Sequence, residues 1–74
     1  MTSQVFFTDF RARPGTSVPE KLTRLLRRAG LPGMDLDGKF VAIKMHFGEP
    51  GNLSFLRPNY AKVVADLVKE CGGV

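Results

Sequence analysis

The feature that most constrains this fold is an apolar run that passes directly into a polar, glycine-rich loop. The apolar run covers residues 39–46, and the loop after it holds two glycines and a proline beside polar side chains. A segment that only builds a core has no need of such a mixture, whereas loops that carry function often show it. We therefore predict a β-strand that ends in a tight loop, with the chemistry of the protein at that loop.

Residues 39–46 alternate in the way expected of a half-buried strand. Alternation places Lys44 and His46 on the same face, near the C-terminal end of the strand. The first face carries Val41, Ile43 and Met45, and the second carries Phe40, Ala42, Lys44 and His46. An earlier strand is predicted at residues 4–8, where continuous apolar character indicates burial on both faces.

Two amphipathic helices are also predicted. Ser17 is a helix cap with Glu20 three residues later, and Gly30 suits the left-handed residue that ends a helix. The second helix begins at Pro58, where the missing N–H costs nothing, and ends at Gly72. The predicted buried stripes are Val18, Leu22, Leu25, Leu26 and Ala29 in the first helix, and Tyr60, Ala61, Val64, Ala65, Val68 and Cys71 in the second, with Leu67 at its flank.

The order strand, helix, strand, helix predicts an α/β fold, a β-α-β-α unit with two parallel strands. Two parallel strands do not complete a sheet, because both edges stay exposed. Val74 is predicted to be the first residue of a third strand. We expect residues 1–74 to form one partial domain, the N-terminal portion of a longer protein. The rest of the parent polypeptide, or another copy of the chain, would complete its sheet through the open edge.

Length and cysteine content limit what stabilises the chain and where it works. Seventy-four residues bury too little surface for high stability without help. The single cysteine, Cys71, allows no internal disulfide, and one histidine with one cysteine does not make a structural zinc site. No apolar run approaches the ~20 residues of a membrane span, and the signal-peptide pattern is missing. We therefore expect a cytoplasmic protein that does not enter a membrane.

The net charge is +4, and six of the eleven basic residues lie before residue 38. A solvated helix face explains them, and a patch for phosphates or nucleic acid is the alternative. No aromatic residues interleave with the basic ones on the first helix, which argues against nucleic acid because stacking on bases needs aromatic rings. The basic residues before residue 38 are Arg11, Arg13, Lys21, Arg24, Arg27 and Arg28.

Candidate site residues follow the two predicted strands, at the ends where parallel sheets bind ligands. If the strands are neighbours, Asp9, Lys44, His46 and Glu49 meet at one edge. His46 is a candidate general acid or base, with Lys44 and Glu49 as further catalytic candidates. His46 has two alternative roles: a metal ligand together with Glu49 or Asp9, and a structural histidine that closes the end of the strand. Of these, we do not predict the metal site.

Lys44 lies in an otherwise apolar run, so it must pair with Asp9 or Glu49 or bind an anionic group. Gly48, Gly51 and Asn52 are candidate ligand-binding residues, because glycines let the backbone approach a ligand closely. The loop lacks the ending of a phosphate loop and the dinucleotide fingerprint. Further candidates are Arg57 and Asn59, since free backbone donors at the start of a helix suit an anion.

These residues give the chain a resemblance to the uncharacterised iron–sulfur centre proteins, domain of unknown function 362. The matching segments are residues 5–12, residues 38–52, residues 57–60, and the helix that ends at Gly72 and Gly73. The second segment ends with the sequence His-Phe-Gly-Glu-Pro-Gly-Asn. The resemblance covers nearly all of this chain and the first part of the family's length.

The resemblance implies a longer, redox-associated protein with a ferredoxin-like segment that binds 4Fe–4S clusters. It does not imply a cluster in this chain, because Cys71 is not in a cluster motif. Lys44, His46, Glu49, Gly51, Asn52 and Arg57 match the family's motif. Two other functions stay open: a stand-alone module that binds a small anionic ligand or nucleic acid, and an inactive truncated fragment.

Overall fold

The computed structural model describes residues 2–74 and builds them around a pair of helices. Helix α1 covers Val18–Ala29 and helix α2 covers Pro58–Glu70, with a short 3-10 turn at Leu31–Gly33. Helix α1 packs against α2, and the 3-10 turn packs against both. No helix in residues 2–74 is long and apolar enough to cross a membrane.

The predicted start and end of α1 are both confirmed. The Ser17 hydroxyl accepts a hydrogen bond from the Glu20 backbone N–H at 3.2 Å, which satisfies one of the free donors of the first turn. Gly30 follows the helix with φ of 101°, in the left-handed region that favours glycine. Local capping chemistry therefore fixes both ends of α1.

Helix α2 begins at Pro58 as predicted, and it contains the most buried residues of the described chain. Leu67 is 2% exposed and Val68 is 5% exposed. Placing Leu67 at the flank of the buried stripe was wrong. Helix α2 packs against the 3-10 turn as well as against α1, so its buried face is wider than a stripe set by one neighbouring helix.

An ion pair joins the last turns of the two helices. Arg27 Nη2 donates to both carboxylate oxygens of Glu70, each at 2.7 Å. The hydrogen bond and charge of Glu70 raise the pKa of Arg27 above its usual value. This charge-assisted contact links the C-terminal ends of the two helices.

The predicted α/β class is wrong, because residues 2–74 contain two helices and no strand. The β-α-β-α unit with two parallel strands is not formed. Residues 4–8 make no backbone–backbone hydrogen bond within the described chain, and the only isolated bridge there joins Arg13 and Thr16. A strand needs a neighbour about 4.8 Å away to complete its hydrogen bonds, and apolar patterning alone does not supply one.

The alternating pattern is followed only in part. Val41 and Met45 are half-buried and Phe40, Lys44 and His46 are exposed, as the pattern predicts, but Ile43 of the first face is exposed as well. The same contrast appears in residues 4–8, but there the prediction of burial on both faces was wrong. Phe6 and Thr8 are half-buried, and Val5 and Phe7 are exposed. Each segment therefore covers the helix pair with one side only.

Val74 was predicted to begin a third strand, and it instead makes two backbone hydrogen bonds, beside a third in which the Gly38 N–H donates to the Gly72 carbonyl at 2.9 Å. The Val74 N–H donates to the Lys39 carbonyl at 2.8 Å, and its carbonyl accepts from the Val41 N–H at 2.9 Å. This contact brings the end of the described chain back to residues 39–41. A side chain at Gly73 would lie 2.5 Å from Val68 Cγ1, so glycine is what lets the chain pass so close to α2.

Candidate functional site: the His46–Glu49–Asn52 loop

Three polar side chains of the loop form one hydrogen-bonded network. Glu49 Oε1 contacts His46 Nδ1, and Glu49 Oε2 accepts a hydrogen bond from Asn52 Nδ2 at 3.0 Å. Asn52 Oδ1 in turn accepts from the Ser54 backbone N–H at 3.0 Å. Three of the predicted site residues, His46, Glu49 and Asn52, are therefore brought together.

A tight turn makes this arrangement geometrically accessible. The Asn52 N–H donates to the Glu49 carbonyl at 2.9 Å, and Gly51 has φ of 85°. Proline followed by glycine at positive φ is the preferred chemistry of a type II turn. Gly48, with φ of 100°, lets the chain reverse between His46 and Glu49. The two predicted glycines thus shape the loop that places Glu49 beside the imidazole.

The network holds Glu49 as a carboxylate. The hydrogen bond from His46, followed by that from Asn52, lowers the pKa of Glu49 below its usual 4.5. An ionised carboxylate can only accept hydrogen bonds. Nδ1 of His46 must therefore carry the proton that bridges to Glu49, whether the ring is neutral or charged.

Fixing the proton on Nδ1 leaves Nε2 as the reactive nitrogen of the ring. The His46 side chain is 74% exposed and that of Glu49 is 48% exposed. Within residues 2–74, Nε2 makes no hydrogen bond. A neutral ring held in this way presents the Nε2 lone pair to solvent or to a ligand, and this is the orientation that a general base needs.

Lys44 lies outside the network. It makes no side-chain hydrogen bond or ion pair within residues 2–74, so neither of its expected partners, Asp9 or Glu49, is joined to it. It lines a concavity of about 220 Å³ with Met45, Leu56 and residues of both helices. Lys44 therefore has an ammonium group free for an anionic ligand.

Asp9 lies at α1 and not with the loop network. Its carboxylate accepts a hydrogen bond from Lys21 Nζ at 2.6 Å. This bond, followed by one from the Arg11 backbone N–H, lowers the pKa of Asp9 below its usual 3.8. The cluster expected at a common sheet edge therefore does not form around Asp9, because the sheet that would have aligned it does not form.

The remaining candidates lie at the start of α2. Arg57 is the residue before the helix, and its side chain makes no capping hydrogen bond. Asn59 lines a groove with Pro19, Pro58 and Lys62, between the first turns of the two helices. Neither residue takes part in the His46–Glu49–Asn52 network.

The sequence analysis missed two residues that organise this molecule. Lys21 was assigned to a solvated helix face, yet it anchors Asp9. Ser54 was not considered, yet its N–H orients the Asn52 amide. An Asn side chain that accepts from the backbone N–H two residues later forms a known local turn, so the sequence carries a recognisable signal for the Asn52–Ser54 contact. The Lys21–Asp9 pair spans 12 residues, and no local sequence pattern indicates it.

Comparison of the chain with protein-family models, with curated proteins and with solved structures found no match. The resemblance to the iron–sulfur centre proteins therefore stays a prediction. Cluster binding can be tested against the residues present. A 4Fe–4S cluster takes four cysteine thiolates, and the chain has one cysteine, Cys71, half-buried after α2. The residues of this chain do not fit a cluster of their own.

Proposed function

We propose that the Lys44–Asn52 loop is a ligand site in which His46 exchanges a proton with a bound small molecule. The observation that carries the proposal is the bridging position of Glu49, which holds Nδ1 of His46 on one oxygen and the Asn52 amide on the other. Asn52 positions the carboxylate, the carboxylate positions the ring, and Nε2 is left for the ligand.

Each part of the network has a distinct chemical task. Glu49 fixes the tautomer of His46 and stabilises the imidazolium that forms when Nε2 accepts a proton. The charge on Glu49 strengthens its hydrogen bonds relative to neutral ones. Because the ring is exposed, the ligand itself displaces water from Nε2.

The ligand class follows from the charge beside the histidine. Lys44 lies two residues before His46, and both side chains are exposed. An ammonium group near a proton-accepting nitrogen suits a small molecule that carries an anionic group and a dissociable proton. Lys44 would bind the anionic group, and His46 would accept the proton.

The resemblance to iron–sulfur centre proteins supplies the setting of the proposal. In that setting the loop belongs to a redox-associated protein, and the 4Fe–4S cluster is held by cysteines other than Cys71. The single cysteine agrees with a reducing compartment, and we place the protein in the cytoplasm.

The reactivity of the only histidine tests this proposal without knowledge of the ligand. Diethyl pyrocarbonate modifies neutral imidazole nitrogens, and His46 gives the whole signal because the chain has no other histidine. At pH 8 we expect the Glu49→Gln variant to react several-fold more slowly than the unmodified sequence, because Gln cannot fix the proton on Nδ1 as a carboxylate does.

The matched control is Glu20→Gln, which removes the same charge from the first turn of α1. It should leave the rate unchanged. Equal rates in all three proteins would show that Glu49 does not activate the ring, and the proposed acid–base role would then be abandoned.

A further inference from the structure

A second concave surface of the molecule is lined mainly by basic side chains, which are four of its six lining residues. It encloses about 430 Å³ and lies between the start of α1 and the chain that leads into it. Ligand sites typically have volumes of a few hundred Å³. Its lining residues are Asp9, Arg11, Arg13, Thr16, Lys21 and Arg24. We call it the arginine concavity.

Lys21 holds the wall of the concavity together and is not free to bind a ligand. Its ammonium donates to Asp9 Oδ1 at 2.6 Å, to the Asp9 carbonyl at 3.1 Å and to the Arg11 carbonyl at 2.9 Å. These three contacts use all three of its donors. The Lys21 side chain is only 21% exposed. It therefore ties residues 9–11 to α1 and neutralises the one carboxylate in the concavity.

The arginines keep their donors available. Arg13 and Arg24 make no side-chain hydrogen bond or ion pair within residues 2–74, and Arg11 has one ion pair, Nε to Asp9 Oδ2 at 3.7 Å. That distance is too long for a hydrogen bond. With Lys21 and Asp9 compensating each other, three guanidinium groups give the concavity a formal charge of +3.

A closed turn holds Arg13 at the rim. Arg13 and Thr16 exchange two backbone hydrogen bonds, at 3.1 and 2.9 Å, around Pro14 and a Gly15 with φ of 81°. Proline restricts φ at its position, and glycine adopts the positive φ that the turn needs without strain. The two hydrogen bonds hold the backbone that carries Arg13 in a closed turn.

The basic residues of α1 divide into groups with different contacts. Arg27 pairs with Glu70, and Arg28 lines a separate surface with Phe6 and Leu25. Arg24 lies in the arginine concavity, one turn after Lys21. Arg24 is therefore the one arginine of α1 that lines the arginine concavity.

We propose that the arginine concavity binds a small molecule that carries phosphate groups. Guanidinium groups recognise phosphate through paired N–H donors, and several of them around one concavity match a ligand with more than one phosphate. No aromatic side chain lines the concavity, so it offers no stacking surface for nucleic-acid bases. This site is independent of His46 and of the function proposed for its loop.

The test uses inorganic pyrophosphate as the probe and isothermal titration calorimetry at low salt as the assay. Removing one guanidinium from the concavity, in Arg24→Gln or Arg13→Gln, should weaken binding about tenfold, the scale of one lost charge-assisted contact. The control is Arg28→Gln, which lowers the net charge equally on the same helix and should change affinity less than about twofold. In NMR spectra, the side-chain N–H signals of Arg13 and Arg24 should shift on titration, and that of Arg28 should not.

Three results would overturn the proposal. One is the lack of pyrophosphate binding by a chain whose circular dichroism shows both helices. Another is an equal loss of affinity in Arg24→Gln and Arg28→Gln, which would indicate attraction by net charge alone. The third is binding of a single-stranded oligonucleotide without binding of pyrophosphate, which would assign the surface to nucleic acid.

Discussion

Replacing Leu67 by alanine should cost a large part of the stability of this protein. Leu67 is 2% exposed, and only Val68 is comparably buried among residues 2–74. Leucine-to-alanine substitutions in cores cost about 2–5 kcal/mol. We expect about 2–3 kcal/mol here, because neighbours near the end of α2 can partly fill the space. A chain of 74 residues has a free energy of unfolding of roughly 4–11 kcal/mol.

Urea unfolding followed by circular dichroism at 222 nm measures this effect directly, since the helices provide the signal. The loss corresponds to a fall in Tm on the order of 10–20 °C for a domain of this size. The matched control is Leu53→Ala, because Leu53 is 93% exposed and its truncation should change stability by less than about 0.5 kcal/mol. Equal losses in the two variants would contradict the assignment of the core to the helix pair.

The remaining predictions concern a helix cap, a close approach and a carboxylate. Ser17→Ala should cost about 1 kcal/mol in the same urea assay, because the first turn of α1 loses its side-chain acceptor; no loss would contradict the cap. Gly73→Ala should cost about 1–3 kcal/mol, since the new Cβ would lie 2.5 Å from Val68 Cγ1. Gly33→Ala is its control, because nothing lies within 4 Å of that Cβ. The lowered pKa of Glu49 means that its carboxylate stabilises the fold above pH 4.5 and loses this effect as pH falls through the lowered value. Glu49→Gln should therefore flatten the acid side of a Tm-against-pH profile, and an unchanged profile would contradict the network.

The helices could be predicted from sequence because their signals are local. Ser17, Gly30 and Pro58 mark helix ends through contacts within one turn, and the structure places the ends where they indicate. The wide burial at Leu67 could not be predicted in this way, because it depends on the 3-10 turn packing against α2. That contact joins residues far apart in the chain.

The prediction of two strands was wrong for a related reason. Alternation in residues 39–46 indicates which side chains can face the apolar helix pair, and Val41 and Met45 follow it, whereas Ile43 does not. It holds no information on whether a second segment lies at hydrogen-bonding distance, and residues 4–8 do not pair with a neighbour. A periodic pattern of burial was therefore taken for a sheet.

The candidate site shows the same division between local and distant contacts. His46, Glu49 and Asn52 are each three residues apart, and a proline–glycine turn brings them together, so their proximity follows from the sequence. The expected pairing of Lys44 with Asp9 required two aligned strands. In the structure Lys21 pairs with Asp9 instead, across a distance in sequence that no local pattern reports.

The most direct test of the central claim is a ¹⁵N NMR measurement of the His46 imidazole at pH 8, where the chain's single histidine gives one pair of ring signals. If Glu49 holds the proton on Nδ1, this nitrogen will show the chemical shift of a protonated ring nitrogen and Nε2 that of an unprotonated one. In Glu49→Gln the populations should move toward the tautomer protonated on Nε2. A ring already protonated mainly on Nε2 in the unmodified protein would contradict the claim that Glu49 orients His46.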